Sequence, residues 1–153
     1  MRFVRPSVVI CAIAGLLAVS AASAWATATD QANGQGQTPL SAALGFNAQS
    51  DLSGNLEYNA DPNGANAGFS AHCNDYTSFV LRYTKVGNYP LVKVTASCAD
   101  KDGNTVYLTA GLTDRGEPGI NDSICLEFKD GAGNLLIHDM GKISNGNIQI
   151  HVH

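Results

Sequence analysis

The chain reads as an all-β protein, an antiparallel β-sandwich or flattened barrel of about eight or nine strands. Three observations point there. From Leu40 onward, apolar and polar residues alternate in short runs. Gly/Asn/Asp clusters interrupt those runs at roughly ten-residue spacing. No eleven-residue window carries a helical period. Packing one apolar face of each strand against another is the economical way to bury such a set.

The N-terminus comes first. Arg2 and Arg5 precede an apolar run from Val8 to Val19, and Ala22-Ser23-Ala24 and Ala24-Trp25-Ala26 offer small-x-small cleavage sites. Residues 1–26 therefore read as a secretory signal peptide, too short in its apolar part for the roughly 20 residues of a spanning helix. No membrane span is expected after cleavage. Thr27 to Thr38, TATDQANGQGQT, is polar and Gly/Gln-rich with no apolar period, so residues 27–39 read as a flexible leader. Residues 40–153 read as the β-sandwich domain.

Within that domain, Leu44, Phe46 and Ala48 share one strand face, and Leu56 and Tyr58 share the next, after the turn Asp51-Leu52-Ser53-Gly54. Asn59 to Gly68 is a turn-rich loop. Phe79, Leu81 and Tyr83 line a strand that ends near Gly87-Asn88, and Val92, Val94, Ala96 and Cys98 line its successor. Asp102-Gly103 marks the clearest hairpin, leading to Val106, Leu108, Ala110 and Leu112. Ile124, Leu126 and Phe128 follow, then Leu135 and Ile137, and finally Ile148, Ile150 and Val152.

Charge narrows the partners. Cleavage after Ala26 removes two basic residues and no acidic one, leaving seven against thirteen, a net −6. That balance opposes nucleic-acid binding, which neutralises phosphates with Lys and Arg. It equally opposes a polybasic attachment to anionic lipid. An extracellular protein or glycan is the expected partner class, with the protein secreted, at the cell surface or in a periplasm; the oligomeric state is open.

Cys73, Cys98 and Cys125 remain after cleavage. In an oxidising compartment, three thiols allow three pairings. Cys98 lies on the apolar face of its strand and Cys73 near the start of the strand before it, so Cys73–Cys98 is the expected disulfide. Cys125 falls on the face of Glu127, as a free thiol or one linking two chains.

The candidate chemistry is sparse. Asp114, Glu117, Asn121 and Asp122 put hard oxygen donors within nine residues of one loop, which suits calcium, a cation of six to eight oxygen ligands. The competing reading is a tight loop whose carboxylates cap backbone amides. Asp100, Asp102 and Asn104 resemble a second calcium fragment that the hairpin explains without a metal. Asp114 and Glu117 could pair for glycoside hydrolysis only loosely. His151 and His153 alternate onto one face of the last strand, as a weak transition-metal pair or a polar outer face. No other cofactor is expected. Tyr107 and Tyr89 are the aromatics least bound to the core pattern. Neither a G-x-S-x-G elbow nor a phosphate loop occurs.

The landmarks Gly45-Phe46-Asn47, Gly54-Asn55-Leu56-Glu57-Tyr58, Cys73, Gly87-Asn88, Asp114-x-Gly116-x-Pro118-Gly119-x-x-Asp122 and Gly146-Asn147-Ile148-Gln149-Ile150-His151 occur in an order that resembles the post-COAP domain family. The resemblance spans roughly Leu44 to His151. It implies an exported, β-rich domain and supplies no catalytic residue. Cys98 and Cys125 depart from the pattern. The functional expectation is a non-enzymatic module that binds a surface protein or glycan through loops 59–75 and 113–123. The alternatives are a small exported polysaccharide hydrolase and a structural surface protein.

Overall fold

The computed structural model describes residues 29–64, 66–119 and 121–153; the signal-peptide reading of residues 1–26 lies outside them. The described residues contain no helix, and so none long and apolar enough to cross a membrane. They form nine strands: β1 Gln31–Gln37, β2 Ala43–Gln49, β3 Gly54–Asn59, β4 Ser70–Tyr83, β5 Pro90–Asp100, β6 Thr105–Thr113, β7 Ser123–Lys129, β8 Leu135–Lys142 and β9 Ser144–His151. All pair antiparallel in one continuous sheet, ordered β8-β7-β6-β5-β4-β3-β2-β1-β9, which curls into a nearly closed barrel. The all-β expectation holds in its flattened-barrel form.

The period-2 pattern sets the inside. Leu44, Phe46, Leu56, Tyr58, Val92, Val94, Leu108, Leu112, Leu126 and Phe128 are buried on the inner face, while the residues between them face out. Tyr58, Phe69 and Phe128 form an aromatic cluster with centroid separations of 5.3–6.1 Å. Cys73 and Cys98 are direct cross-strand partners on β4 and β5, and a disulfide joins them. Across a separation of 25 residues, such a bridge contributes about 3–4 kcal/mol in the chain-entropy picture. Cys125 is free and half-buried on the outer face.

The stretch read as a flexible leader is instead a strand inside the sheet. β1 pairs along its whole length with β2 and, with a register shift between Gln35 and Gln37, with β9. Its inward positions are Ala32, Gly34 and Gly36, so it carries no apolar period to read. The small residues are required by what lies behind them. A Cβ on Gly34 would sit 2.8 Å from the Phe46 ring, and one on Gly146 of β9 would sit 1.9 Å from the Gln35 carbonyl oxygen.

Closure follows from chain continuity. The two ends of the sheet, β8 and β9, are consecutive in sequence with only Ile143 between them. The first half of this ribbon pairs with β7 and the second half with β1. Each half is therefore left with one edge that no strand covers. Buried unpaired N–H groups are costly, and on β9 that cost is met by the carboxylates of Asp122, which is fully buried, and Asp114.

Two hairpins share one turn. Asp100-Lys101-Asp102-Gly103-Asn104 and Asp130-Gly131-Ala132-Gly133-Asn134 both have the Asp Oδ1 accepting from the N–H groups two and four residues on, and Oδ2 accepting from the Asn amide. Gly103 and Gly133 take φ of 81° and 86°, the left-handed region that glycine enters without steric cost. These bonds hold Asp100 and Asp130 below the ordinary aspartate pKa, the Asn amide making the largest contribution in each case. The second calcium fragment is thus a hairpin turn that recurs where no calcium pattern was read.

Candidate functional site: an acidic latch beside an amide-lined face

Loop 114–122 lies along the uncovered edge of β9. Asp122 Oδ2 accepts the N–H of Ile148 at 2.7 Å, and Asp114 Oδ2 accepts that of Ile150 at 3.0 Å. Their other oxygens hold the loop itself: Asp122 Oδ1 accepts from Arg115 N and Asp114 Oδ1 from Gly116 N. The Asp122 backbone carbonyl accepts from Ile143 N at the corner of the ribbon. These two side chains stand where the carbonyls of a neighbouring strand would stand. Burial raises the Asp122 pKa above its ordinary value; the two N–H donors oppose that rise, and the charges of Asp114 and Glu117 add to it.

The four residues of the calcium expectation are engaged within the protein. Glu117 Oε1 accepts from Asn147 Nδ2 at 2.7 Å and Gln149 Nε2 at 2.8 Å, and Asn121 Oδ1 accepts from Lys142 Nζ at 2.9 Å. All four residues thus hold protein donors. Among the described residues, no group of three or more His, Cys, Asp or Glu side chains is arranged to hold a metal ion. Glu117 is held below the ordinary glutamate pKa by Gln149 first and Asn147 second. The competing reading, carboxylates capping amides, describes the loop, with the capped amides lying largely on a distant strand.

A second fully buried carboxylate, Asp139, projects inward from β8. Asp139 Oδ2 accepts from the hydroxyls of Thr38 and Tyr58, and Oδ1 accepts from Leu40 N. The Thr38 hydroxyl in turn accepts from Ala42 N. One carboxylate thus ties β8 to the β1–β2 turn and to β3. Burial, and then the charge of Asp139, push the Tyr58 phenol up. Alternation alone puts Asp139 inward beside Ile137, but a lone inward Asp gives no hint of its partners 81 to 101 residues away.

The outer face of β3, β2, β1 and β9 is lined with neutral amides. The register aligns Asn55, Asn47, Asn33 and Gln149 in one row across the four strands, and Glu57, Gly45, Gln35 and Asn147 in the next. Strand spacing makes the face about 14 Å wide. Two shallow depressions share Gln35. One, of about 350 Å³, is walled by Asn33, Asn147 and Gln149. The other, of about 390 Å³, is walled by Gln37, Ser41 and Asn145. Glu117 fixes the amides of Asn147 and Gln149 from the latch side. No hydrogen bond among the described residues engages the side chains of Asn33, Gln35, Asn47 or Asn55.

The remaining candidates lie elsewhere. His151 ends β9 and is exposed, and the His153 N–H donates to Asp30 Oδ1. Tyr107 is half-exposed on the outer face of β6, away from the amides. Residues 70–75 of the first candidate binding loop belong to β4, and the second loop is the latch. Sequence reading missed the amide face because β1, one of its four strands, lay in the supposed leader. Alternation through Asn33, Gln35 and Gln37 was the available signal. Comparison with protein-family models, with curated proteins and with solved structures found no match to this chain.

Proposed function

We propose that this protein is an exported, non-enzymatic binding module that takes a neutral glycan on the amide face of β3-β2-β1-β9. The observation that carries this reading is the aligned set of uncommitted amides around Gln35. An amide offers a carbonyl acceptor and two N–H donors in one plane, and a sugar hydroxyl is both donor and acceptor. Side chains on adjacent strands repeat at a fixed spacing, which suits a ligand that repeats its hydroxyls. The face carries no Trp, Tyr or Arg of the kind that anchors protein interfaces, so a glycan is favoured over a protein. A disulfide, and described residues with no helix to cross a membrane, suit an extracellular setting; the signal-peptide pattern of residues 1–26 supports the same setting.

Electrophoresis through gels containing soluble neutral polysaccharides tests this: dextran, a mixed-linkage β-glucan and a galactomannan. The expected result is retarded migration in at least one of them, lost in the double variant Asn33→Ala/Gln35→Ala with its melting temperature unchanged. No retardation in any gel, or equal retardation of the variant, overturns the reading.

A further inference from the structure

The amide face carries a run of contiguous depressions. Three of similar size, about 350, 390 and 450 Å³, are strung together by shared side chains. Gln35 borders the first and the second. Asn145 borders the second and the third, and the third reaches past it to Ser144 and to Pro118 of the latch loop. The first two follow β1. Asn33 to Gln37 is four residues along that strand, roughly 13 Å at strand rise.

The walls hold open polar atoms along this run. In the first depression, Glu117 Oε1 takes an N–H from each of Asn147 and Gln149. The Gln149 carbonyl oxygen has no hydrogen bond among the described residues, and neither has any side-chain atom of Gln35. In the second, Asn145 Nδ2 donates to Gln37 Oε1 at 3.5 Å, a long contact. That arrangement leaves the Asn145 carbonyl oxygen and the Gln37 N–H groups free. Each junction between depressions is therefore an amide with at least one open acceptor.

We propose, on the basis of the glycan reading above, that the ligand is the interior of a linear polysaccharide. Consecutive sugar units lie in consecutive depressions, with Gln35 and Asn145 at the two junctions. A site for a free sugar or a chain end would be one enclosed pocket, whereas these depressions are shallow, alike in volume and contiguous. A ligand with repeating units presents the same hydroxyls to each amide in turn. Each depression alone holds a sugar weakly. Units joined in one chain reach the second and third depressions at a high effective concentration, so affinity grows with length until the run is filled.

Competition in the polysaccharide gels tests this, in whichever polymer retards the protein. The competitors are the constituent monosaccharides of that polymer and its hydrolysis fragments of two to six units, all at equal mass concentration. On a single subsite, equal masses compete equally. The expected result is competition that rises about tenfold from the single sugar to the three-unit fragment and levels beyond it. Asn145 has a φ of 51°, which glycine adopts freely, so Asn145→Gly removes the side chain and keeps the backbone. This variant should be retarded several-fold less and should lose most of the rise with length, its melting temperature unchanged. Absence of retardation in every gel overturns the glycan reading and this proposal with it. Retardation with equal competition by all fragments, or an Asn145→Gly protein that keeps both full retardation and the rise with length, overturns this proposal and leaves the glycan reading standing.

Discussion

Loop 114–122 and the amide face lie side by side and are both polar, yet their polar atoms are in opposite states. In the loop, Asp114 and Asp122 place both carboxylate oxygens on backbone N–H groups. On the face, Asn33 and Gln35 border open depressions with their amides uncommitted. Glu117 joins the two regions by fixing Asn147 and Gln149. The contrast teaches that density of acidic oxygens is a poor guide to a binding site, and that the commitment of each atom is a better one. The loop is rich in metal-type donors because an uncovered strand edge needs acceptors. The face is poor in charge, and its groups remain free for a ligand.

The largest effect should come from breaking the latch. Asp122→Ala removes the acceptor of Ile148 N and Arg115 N, and buried donors left unpaired cost about 1–3 kcal/mol each. A loss of about 2–5 kcal/mol in denaturant unfolding is expected, with a melting point lower by roughly 10 °C or more. A loss below about 1 kcal/mol would mean that the edge of β9 does not depend on this side chain, and the latch reading would fail.

The same residue gives a pH signature. Its folded pKa is raised, so the folded state binds the proton more tightly than the unfolded chain. Its contribution is fully present below the ordinary value of 3.8 and is lost as pH rises through the folded pKa. Asp51, Asp100, Asp130 and Glu117 run the other way. Their folded pKa values are lowered, so their contributions are present above the ordinary values and are lost as pH falls through the folded ones. Unfolding free energy should therefore rise on mild acidification from neutrality and fall again in stronger acid. Asp122→Asn should lose the rise and keep the fall. A wild-type curve with no rise on the acid side of neutrality would contradict this assignment.

What the sequence made legible, and what it hid, follows the same division. Eight apolar runs, the hairpin turns and the Cys73–Cys98 bridge were readable because each is local or rests on alternation. β1 was hidden because its core positions are Ala32, Gly34 and Gly36, chosen for the close crossing by β9 and for the Phe46 ring. The latch was half legible. The carboxylates could be seen to cap amides, but the amides they cap include those of Ile148 and Ile150, about 30 residues away, and only closure of the barrel brings them near.

Two glycines sharpen the comparison with smaller effects. Gly146 lies where β9 crosses β1, and Gly146→Ala would place a methyl group 1.9 Å from the Gln35 carbonyl oxygen. Overpacking of this kind costs about 1–3 kcal/mol, and binding should fall with stability because the walls of both depressions move. A fully stable Gly146→Ala would show that the two strands separate freely.

Gly45 is the opposite case. It faces outward between Gln35 and Glu57, and a Cβ there meets nothing within 4 Å. Its φ is not among the positive ones, and valine suits a strand, so Gly45→Val should raise stability by about 0.5–1 kcal/mol through the lost flexibility of glycine. The same isopropyl group stands in the middle of the amide rows and should abolish retardation in the polysaccharide gels. Stability and binding would then move in opposite directions from one substitution, which a loss through misfolding cannot produce. A Gly45→Val protein that is more stable and still retarded would place the ligand off this face, and the uncommitted amides would be ordinary surface.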